Sequence, residues 1–211
     1  MEVIRRVNEQ LTWEKVKEAL LTGKAEKVLK VGDQITVQHE DLGKVLFDVL
    51  DHNREELEPW TRKNNITLQM HTLLEPERYA KQIKKGCNDW ETSEIRERIN
   101  RRSFIMGFEE QFIELLTPAY KKNDEKRKTL DTFFLLSTEE MVEDGVRYAL
   151  YKNKANMIKT DQYGNGQTYW TRTACNKNGY ELYYVYASGN INAGLHAKKK
   201  YRYAPACVIA Q

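Results

Sequence analysis

The spacing of hydrophobic residues along the first part of the chain predicts a helix and then strands. In "TWEKVKEALLTG" the apolar residues recur at helical spacing, with Thr12 as a suitable N-cap and Gly23 as a stop. The stretch "QITVQHEDLGKVLFDVL" has apolar residues at alternate positions around an Asp-Leu-Gly turn, which indicates a β-hairpin. The period-two pattern of "NITLQM" predicts a further strand.

From Pro76 onward the pattern becomes helical. "PERYAKQIKKG" predicts a helix that begins at the proline and ends at Gly86. A second helix is expected after Thr92 or Ser93, and a further helical turn or two at 109–116. The segment "LDTFFLLSTEEM" predicts a short buried strand followed by a helix that the spacing of Ser137 and Glu140 marks as a capping box.

The last part of the chain, from Tyr169, is too rich in Gly, Asn and Tyr for helices. There "ELYYVYASGNINAG" predicts a strand, a Ser-Gly-Asn turn and a partner strand. The sequence therefore predicts a helix and strands over 1–75, mainly helices over 76–144, and loops and strands that face a ligand over 145–211. Without a βαβ rhythm or a linker, this order predicts a single α+β domain over 1–211.

Composition and charge exclude several classes of protein. With 40% hydrophobic and 31% charged residues the chain is too hydrophobic to be disordered. The net charge of +3, with one dense basic run at Lys198, Lys199, Lys200 and Arg202, gives no reason to expect nucleic-acid binding. No signal peptide and no run of eighteen apolar residues occurs. We therefore expect cytoplasmic synthesis and no membrane insertion, with a place in a virion or display at the cell surface left open.

Cysteine and histidine spacing gives no metal signature. The three cysteines, Cys87, Cys175 and Cys207, form no CxxC motif, and the four histidines are scattered. Acidic residues at 41–56 include none of the spacings of a calcium loop, so they are expected to lie in solvated turns. No disulfide framework, metal or cofactor is expected.

Tyrosine is concentrated at the end of the chain, because half of the twelve tyrosines fall in the last 32 residues. Tyrosine combines a large contact area with a polar group, and Asn and Gly add adaptable hydrogen bonds, as in antibody paratopes. Tyrosine at alternating positions also simply suits a half-buried sheet, and both alternatives stay open. The candidate ligand-binding residues are Tyr180, Tyr183, Tyr184, Tyr186, Asn190, Asn192, Tyr201 and Tyr203.

Trp170 and Arg172 lie two positions apart, so in a strand they share one face. An arginine beside an indole either stacks on the ring or donates two parallel hydrogen bonds to a carboxylate. We expect a structural role, in which the guanidinium satisfies several buried oxygen atoms.

Several blocks across nearly the whole chain carry a family resemblance: "TWEKVKEALLTGKAEKVLKVGDQITV", "FDVLDHN", "NITLQM", "CNDWETSEIRERIN", "LDTFFLLSTEEM", "YWTRT" and "YRYAPACVIA". In this order they resemble a domain family of unknown function from Gram-positive bacteria and their phages. Trp170 and Arg172 match the family's "YWlRS" block, Gly189 its turn, and Arg202, Pro205 and Ala206 its closing "RPA" strand. Thr173 departs from the usual Ser, and residues 201–204 depart from the family's Gly-Val-Arg.

The resemblance implies a C-type-lectin-like fold of the formylglycine-generating-enzyme branch. It implies a non-enzymatic ligand-binding or phage structural module, with a protein or glycan receptor contacted through the C-terminal surface, and a homo-oligomer is compatible with a tail location. One alternative is a copper-dependent oxidase that uses Cys175 and Cys207, since formylglycine-generating enzymes hold copper with a cysteine pair. Another is a cytosolic assembly partner that binds through the helical middle, from Trp90 to Leu116.

Overall fold

The computed structural model describes residues 2–4, 11–59, 64–124, 127–175 and 179–211. The described helices are α1 Trp13–Leu21, α2 Ala25–Val28, α3 Glu94–Ile99, α4 Arg102–Ile105, α5 Glu110–Ile113 and α6 Thr138–Val142, with 3₁₀ helices at Ala149–Lys152 and Lys154–Met157. The described strands are β1 Glu2–Ile4, β2 Gln34–His39, β3 Gly43–His52, β4 Asn65–Met70, β5 Leu74–Arg78, β6 Ala119–Lys122, β7 Lys128–Asp131, β8 Phe133–Phe134, β9 Tyr169–Cys175, β10 Glu181–Val185, β11 Ile191–His196, β12 Lys200–Tyr203 and β13 Ala206–Ala210.

The larger sheet is antiparallel and contains six strands in the order β1-β2-β3-β4-β13-β8. The last strand of the chain lies inside it, because β13 pairs with β4 from Ala206 opposite Gln69 to Ala210 opposite Asn65. A second sheet has the order β11-β10-β9-β12-β5, and β6 pairs with β7 separately. Its one parallel contact joins Arg202 of β12 to Tyr169 of β9. The protein is therefore α+β, as predicted, with mostly antiparallel sheets.

The elements with strong local signals form where the sequence predicts them. Helix α1 begins after Thr12, whose side chain accepts the Lys15 amide at 3.4 Å, and its chain reverses at Gly23, which has a φ of +68°. The hairpin of β2 and β3 and the hairpin of β10 and β11 are both present. Helix α6 has the predicted capping box of Ser137 and Glu140.

One face of the six-stranded sheet is apolar and packs on helices. Phe47 of β3 contacts the ring of Phe112 of α5 at 5.4 Å between centroids, and Trp13 of α1 contacts the same ring at 5.6 Å. Burial of these aromatic side chains stabilises this side of the sheet.

On the opposite face of the same sheet, polar residues of β4 are also buried. Along β4 the polar residues Asn65, Thr67 and Gln69 alternate with apolar ones, yet all six residues are buried. Gln69 donates to the Ala204 carbonyl at 3.2 Å and accepts from the Tyr151 hydroxyl. Thr67 donates to the Glu55 carboxylate at 3.0 Å. The sheet thus encloses a layer of satisfied polar groups, which buried polar atoms require.

The middle of the chain is less helical than predicted. The segment after Pro76 is not a helix: Pro76 lies in β5, which forms the edge of the five-stranded sheet and pairs with β12. An edge strand tolerates proline because its missing N–H can face away from the sheet. Helices α3, α4, α5 and α6 have only four to six residues each, and β6, β7 and β8 intervene among the described residues.

Candidate functional site

Arg172 lies in β9, the middle strand of the five-stranded sheet, and its side chain is 3% exposed. Its guanidinium donates two hydrogen bonds to the Glu140 carboxylate, from Nη1 to Oε2 at 2.5 Å and from Nη2 to Oε1 at 2.9 Å. Nη1 also donates to the Leu135 carbonyl at 2.8 Å. This fork is the geometry that planar guanidinium and carboxylate groups favour. Arg172 therefore joins β9 to the start of α6.

The pair belongs to a group of five side chains that we call the Arg172 cluster: Glu55, Lys121, Glu140, Tyr148 and Arg172. The Lys121 ammonium lies 2.6 Å from Glu55 Oε2 and 2.8 Å from Glu140 Oε1. The Tyr148 hydroxyl donates to Glu55 Oε1 at 2.6 Å and accepts from Lys121 at 3.1 Å. The two cations and two carboxylates balance, so the cluster is neutral.

Charge pairing decides the protonation state of Glu140. Burial alone would raise the pKa of its carboxyl, but the Arg172 guanidinium and the Lys121 ammonium outweigh burial and hold the pKa below its usual range. Burial, followed by the nearby Glu140 charge, raises the pKa of the Tyr148 hydroxyl well above its ordinary value. At neutral pH Glu140 is therefore an ionised carboxylate and Tyr148 a neutral phenol.

A cavity of about 380 Å³ is lined in part by Glu55, Lys121, Glu140 and Arg172. Each oxygen of Glu55 and Glu140 already accepts a hydrogen bond. In the described part of the chain, only Nε of Arg172 lacks a partner within the cluster. The cluster leaves no free acid, base or nucleophile, so its geometry suits a structural connection between elements.

Trp170 lies in the interior next to one of the terminal tyrosines, Tyr201. It is 1% exposed, donates from Nε1 to the Glu77 carbonyl at 3.0 Å, and contacts the Tyr201 ring edge-on at 5.5 Å between centroids. Tyr203, two residues on, is also buried. Tyr203 therefore has no surface to offer to a ligand, which corrects its place among the candidate binding residues.

The other candidate tyrosines do not share one exposed face. Tyr180 is half-buried and stacks on His196 at 5.8 Å between centroids. Tyr183 and Tyr184 are both half-buried and are adjacent in β10, so their side chains point to opposite faces of the sheet. Tyr186, directly after β10, is 52% exposed. The expected tyrosine face is thus reduced to the end of the hairpin.

Residues of the closing block anchor the last strands. Arg202 forms an ion pair with Glu75 at 3.1 Å, which ties β12 to β5. The carbonyl of buried Pro205 accepts the Met70 amide at 2.9 Å. Both contacts connect the end of the chain to strands outside it.

The turn between β10 and β11 presents polar side chains to solvent. Tyr186 and Asn190 close it through the Tyr186 amide and the Asn190 carbonyl at 2.8 Å, and Gly189 has a φ of +82°. The side-chain amide of Asn190 donates to Ser188 Oγ at 3.1 Å. Asn192 is exposed farther along β11. The backbone of this turn is therefore ordered by its own hydrogen bonds.

A second loop packs beside this turn. A β-carbon on Gly189 would lie 3.0 Å from Ile158 Cγ1, and one on Gly166 would lie 3.2 Å from the Ala187 carbonyl oxygen. The loop is closed by Asp161, whose Oδ1 accepts the amides of Tyr163 at 2.9 Å and Asn165 at 3.0 Å. Two neighbouring turns are thus each fixed by internal hydrogen bonds.

Both loops carry exposed large side chains. Tyr163 is 76% exposed and Ile158 is 44% exposed. We call the group Ile158, Tyr163, Tyr186, Ser188, Asn190 and Asn192 the turn surface. Sequence reasoning missed Ile158 and Tyr163, although "DQYGNGQ" has the Asp and Gly pattern of a side-chain-stabilised turn.

The cysteines are separated in the fold. Cys175 lies in β9 of the five-stranded sheet and Cys207 in β13 of the six-stranded sheet, and all three cysteines are buried and free. Burial raises the pKa of the Cys207 thiol well above its ordinary value, so it is not a thiolate. Residues 11–59, 64–124, 127–175 and 179–211 contain no group of three His, Cys, Asp or Glu side chains placed to hold a metal ion. The copper-oxidase alternative therefore gains no geometric support.

The proposed helical contact region faces inward at several points. Trp90 is buried and donates to Asp131 at 2.8 Å, and Ile95, Ile99 and Phe112 are buried as well. Met106 is 54% exposed. Binding of an assembly partner through this region stays a prediction.

Among the described helices, none has the length and apolar character needed to cross a bilayer.

Comparison with known proteins places most of the chain in one family. A family model described as "Domain of unknown function (DUF6273)" matches residues 63–211, which is more than half of the chain. The match begins at residue 63, although the resemblance seen in the sequence was expected to begin near Trp13. No curated protein and no solved structure matches the chain. The chain belongs to this family of domains of unknown function.

Proposed function

We propose that this chain is a non-enzymatic binding module that recognises a protein or glycan through the turn surface. The observation that carries the proposal is the exposure of Tyr163 and Tyr186 on two adjoining turns. Tyrosine gives a broad contact at low entropy cost, and neighbouring Ser and Asn side chains supply hydrogen bonds.

Order in the free protein favours such binding. The Asp161 carboxylate fixes the Tyr163 loop, and the amide of Tyr186 and the carbonyl of Asn190 fix the hairpin turn. A surface that is already ordered loses less conformational entropy when a partner binds.

The hydrogen-bonded carboxylates of the Arg172 cluster and the separated cysteines support a non-enzymatic role. The C-type-lectin-like fold, the occurrence of the family in Gram-positive bacteria and their phages, and a place in a virion tail are parts of the same proposal that rest on the resemblance in the sequence. The proposal includes receptor binding by a virion-associated or displayed protein.

The test is binding to protein, peptide and glycan arrays by the wild type and by a Tyr163→Ala/Tyr186→Ala variant. We expect the variant to lose about 30-fold in affinity for the ligand of the wild type, as for hot-spot tyrosines. Its melting temperature should stay unchanged, because both side chains are exposed.

The matched control is Leu21→Ala/Met106→Ala, which removes two exposed apolar side chains elsewhere. It should bind like the wild type. Arrays that stay silent at high protein concentration, together with absence of the protein from purified phage particles, would contradict the proposal. So would an alanine pair that binds as tightly as the wild type.

A further inference from the structure

Two lysine-rich segments that are far apart in the sequence lie side by side at the β5 edge of the five-stranded sheet. Lys200 of β12 is paired opposite Arg78 of β5. The Ala80 amide, just after β5, donates to the Ala197 carbonyl at 3.3 Å, so the chain beyond β5 stays beside the turn that precedes β12. We call the seven exposed cations of the two segments the basic patch: Arg78, Lys81, Lys84, Lys85, Lys198, Lys199 and Lys200.

The loop that carries Lys84 and Lys85 is held against the same part of the molecule. The Gly86 amide donates to the Gly179 carbonyl at 2.9 Å, just before β10. The lysine run at 198–200 did not indicate a nucleic-acid partner by itself, and the helix expected at 76–86 has no fixed place beside that run. The observed strand and loop bring four more cations to it.

Few carboxylates offset this charge. None of the seven cations has an ion pair within the described ranges. Four nearby carboxylates are paired with arginines outside the patch: Glu75 with Arg202, Glu77 with Arg98, Asp89 with Arg127, and Glu97 with Arg101. Glu94 and Glu181 also adjoin the patch and have no ion pair in the described part of the chain. Seven cations against these two carboxylates leave an excess of five positive charges, which exceeds the net charge of +3 of the whole chain.

The composition of the patch favours phosphate groups. Six of its seven cations are lysines, which bind phosphates as point charges, whereas the arginine fork is the group that matches carboxylates. Ile83 is the one large apolar side chain exposed in the described segments 78–86 and 197–200, which is too little apolar surface for a bilayer anchor. The nearest helix, α3, has only six residues, so the patch offers no long helix to read bases in a groove.

We propose that the basic patch binds a nucleic acid duplex through its phosphate backbone, without reading the base sequence. Phosphates neutralised by lysines release counterions, and this release drives such binding. The patch and the turn surface lie at opposite ends of the β10–β11 hairpin, whose pairing runs from Glu181 opposite His196 to Val185 opposite Ile191. One molecule could therefore hold a duplex and a receptor at the same time, so the inference goes beyond the proposed function.

The test is fluorescence anisotropy of a labelled duplex titrated with the full chain at several salt concentrations. The wild type should bind with a Kd of roughly 10⁻⁶ to 10⁻⁴ M at physiological salt. The logarithm of the affinity should fall linearly with the logarithm of the salt concentration, with a slope of about −4 to −6 for five to seven phosphate contacts. A duplex of unrelated sequence should bind equally, because phosphate contacts carry no sequence information.

Two variants remove two cations from one segment each: Lys81→Gln/Lys84→Gln and Lys198→Gln/Lys199→Gln. Each pair should make the salt slope shallower by about 2 and weaken binding about tenfold at moderate salt. All four side chains are exposed, so the melting temperature should not change. Equal effects of the two pairs would show that both segments contact the same duplex.

The matched control is Lys15→Gln/Lys27→Gln, which removes two exposed lysines of α1 and α2 and should bind the duplex like the wild type. The Tyr163→Ala/Tyr186→Ala variant should also bind the duplex normally, and both patch variants should keep the array ligand. Failure of the patch and failure of the turn surface are thereby separate results.

Absence of saturable binding, or a patch variant from either segment that binds as tightly as the wild type, would overturn the inference. So would a control variant that loses as much affinity as the patch variants. Displacement of the duplex by poly-glutamate as readily as by unlabelled DNA at equal charge would assign the patch to an acidic protein instead. Sedimentation with vesicles containing about 30% phosphatidylglycerol, lost in the patch variants and stronger than duplex binding, would assign it to a bilayer.

Discussion

The Arg172 cluster and the turn surface use their polar side chains in opposite ways. Arg172 directs its polar atoms inward to Glu140 and to the Leu135 carbonyl. Tyr163 and Tyr186 direct their side chains to solvent while their backbones are fixed by local hydrogen bonds. The difference shows that side chains on strand β9 join it to neighbouring elements, whereas the side chains available to a partner lie on the turns.

The cluster also connects a residue before the family match to residues within it. Glu55 precedes residue 63, whereas Lys121, Tyr148, Glu140 and Arg172 follow it. The six-stranded sheet crosses the same limit, because β3 pairs with β4 from Phe47 opposite Met70 to His52 opposite Ile66. Residues before the matched region therefore contribute to the same buried structure.

The largest effect is expected from Arg172→Met, which tests the structural side of the comparison. The substitution keeps much of the side-chain volume but leaves the buried Glu140 carboxylate without its forked partner. Breaking a buried ion pair in this way costs about 3 to 5 kcal/mol in the free energy of unfolding. Urea denaturation of the variant and the wild type measures the loss.

Two further variants decide its cause. Arg101→Met removes an ion pair with Glu97 in which both side chains are exposed, and it should leave the free energy of unfolding unchanged. A Glu140→Leu/Arg172→Met variant removes both charges and should recover much of the loss. If the double variant is no more stable than the single one, an unpaired carboxylate is not the cause.

Local signals in the sequence predicted the elements that depend on nearby residues. Thr12 and the pair Ser137 and Glu140 act as caps where they were expected, because a cap needs only its neighbours three residues away. Strand β5 was missed because its position depends on pairing with β12, more than a hundred residues later. Helical spacing after Pro76 could not reveal that partner.

The polar layer could not be foreseen for the same reason. The alternation in β4 normally indicates one solvated face. That face is buried because the Tyr151 hydroxyl and the Glu55 carboxylate approach it from other parts of the chain. For the candidate site, the sequence identified Tyr186, Asn190 and Asn192 but could not show that Trp170 packs on Tyr201 or that Tyr163 is exposed.

The next effect is a loss of stability in acid. Burial lowers the pKa of His52 and outweighs nearby carboxylates, and neither of its ring nitrogens has a hydrogen-bond partner in the described ranges. For Asp48, burial favours a higher pKa, but Lys159 and His71 outweigh it and hold the pKa below its usual range, as Arg172 and Lys121 do for Glu140.

All three groups bind fewer protons in the folded state than in the unfolded chain, so the free energy of unfolding should fall as pH falls. A shallow loss should begin below about pH 6.5 as unfolded His52 gains a proton, and a steeper one below about pH 4.5 as unfolded carboxyls do. Urea midpoints between pH 8 and 3 measure both. His52→Leu should flatten only the upper part, and Tyr163→Ala/Tyr186→Ala should follow the wild-type curve.

The smallest effect is the loss of stability expected when either of two glycines near the turn surface is replaced by alanine. Gly189 has a φ of +82° and Gly164 a φ of +80°, so alanine at either costs roughly 1 to 2 kcal/mol for a left-handed backbone. A β-carbon on Gly164 would meet no atom within 4 Å, whereas one on Gly189 would lie 3.0 Å from Ile158 Cγ1. Gly189→Ala should therefore lower the melting temperature more than Gly164→Ala and should also weaken array binding, because it displaces Ile158. Equal effects of the two variants on both measurements would show that the two turns do not support each other.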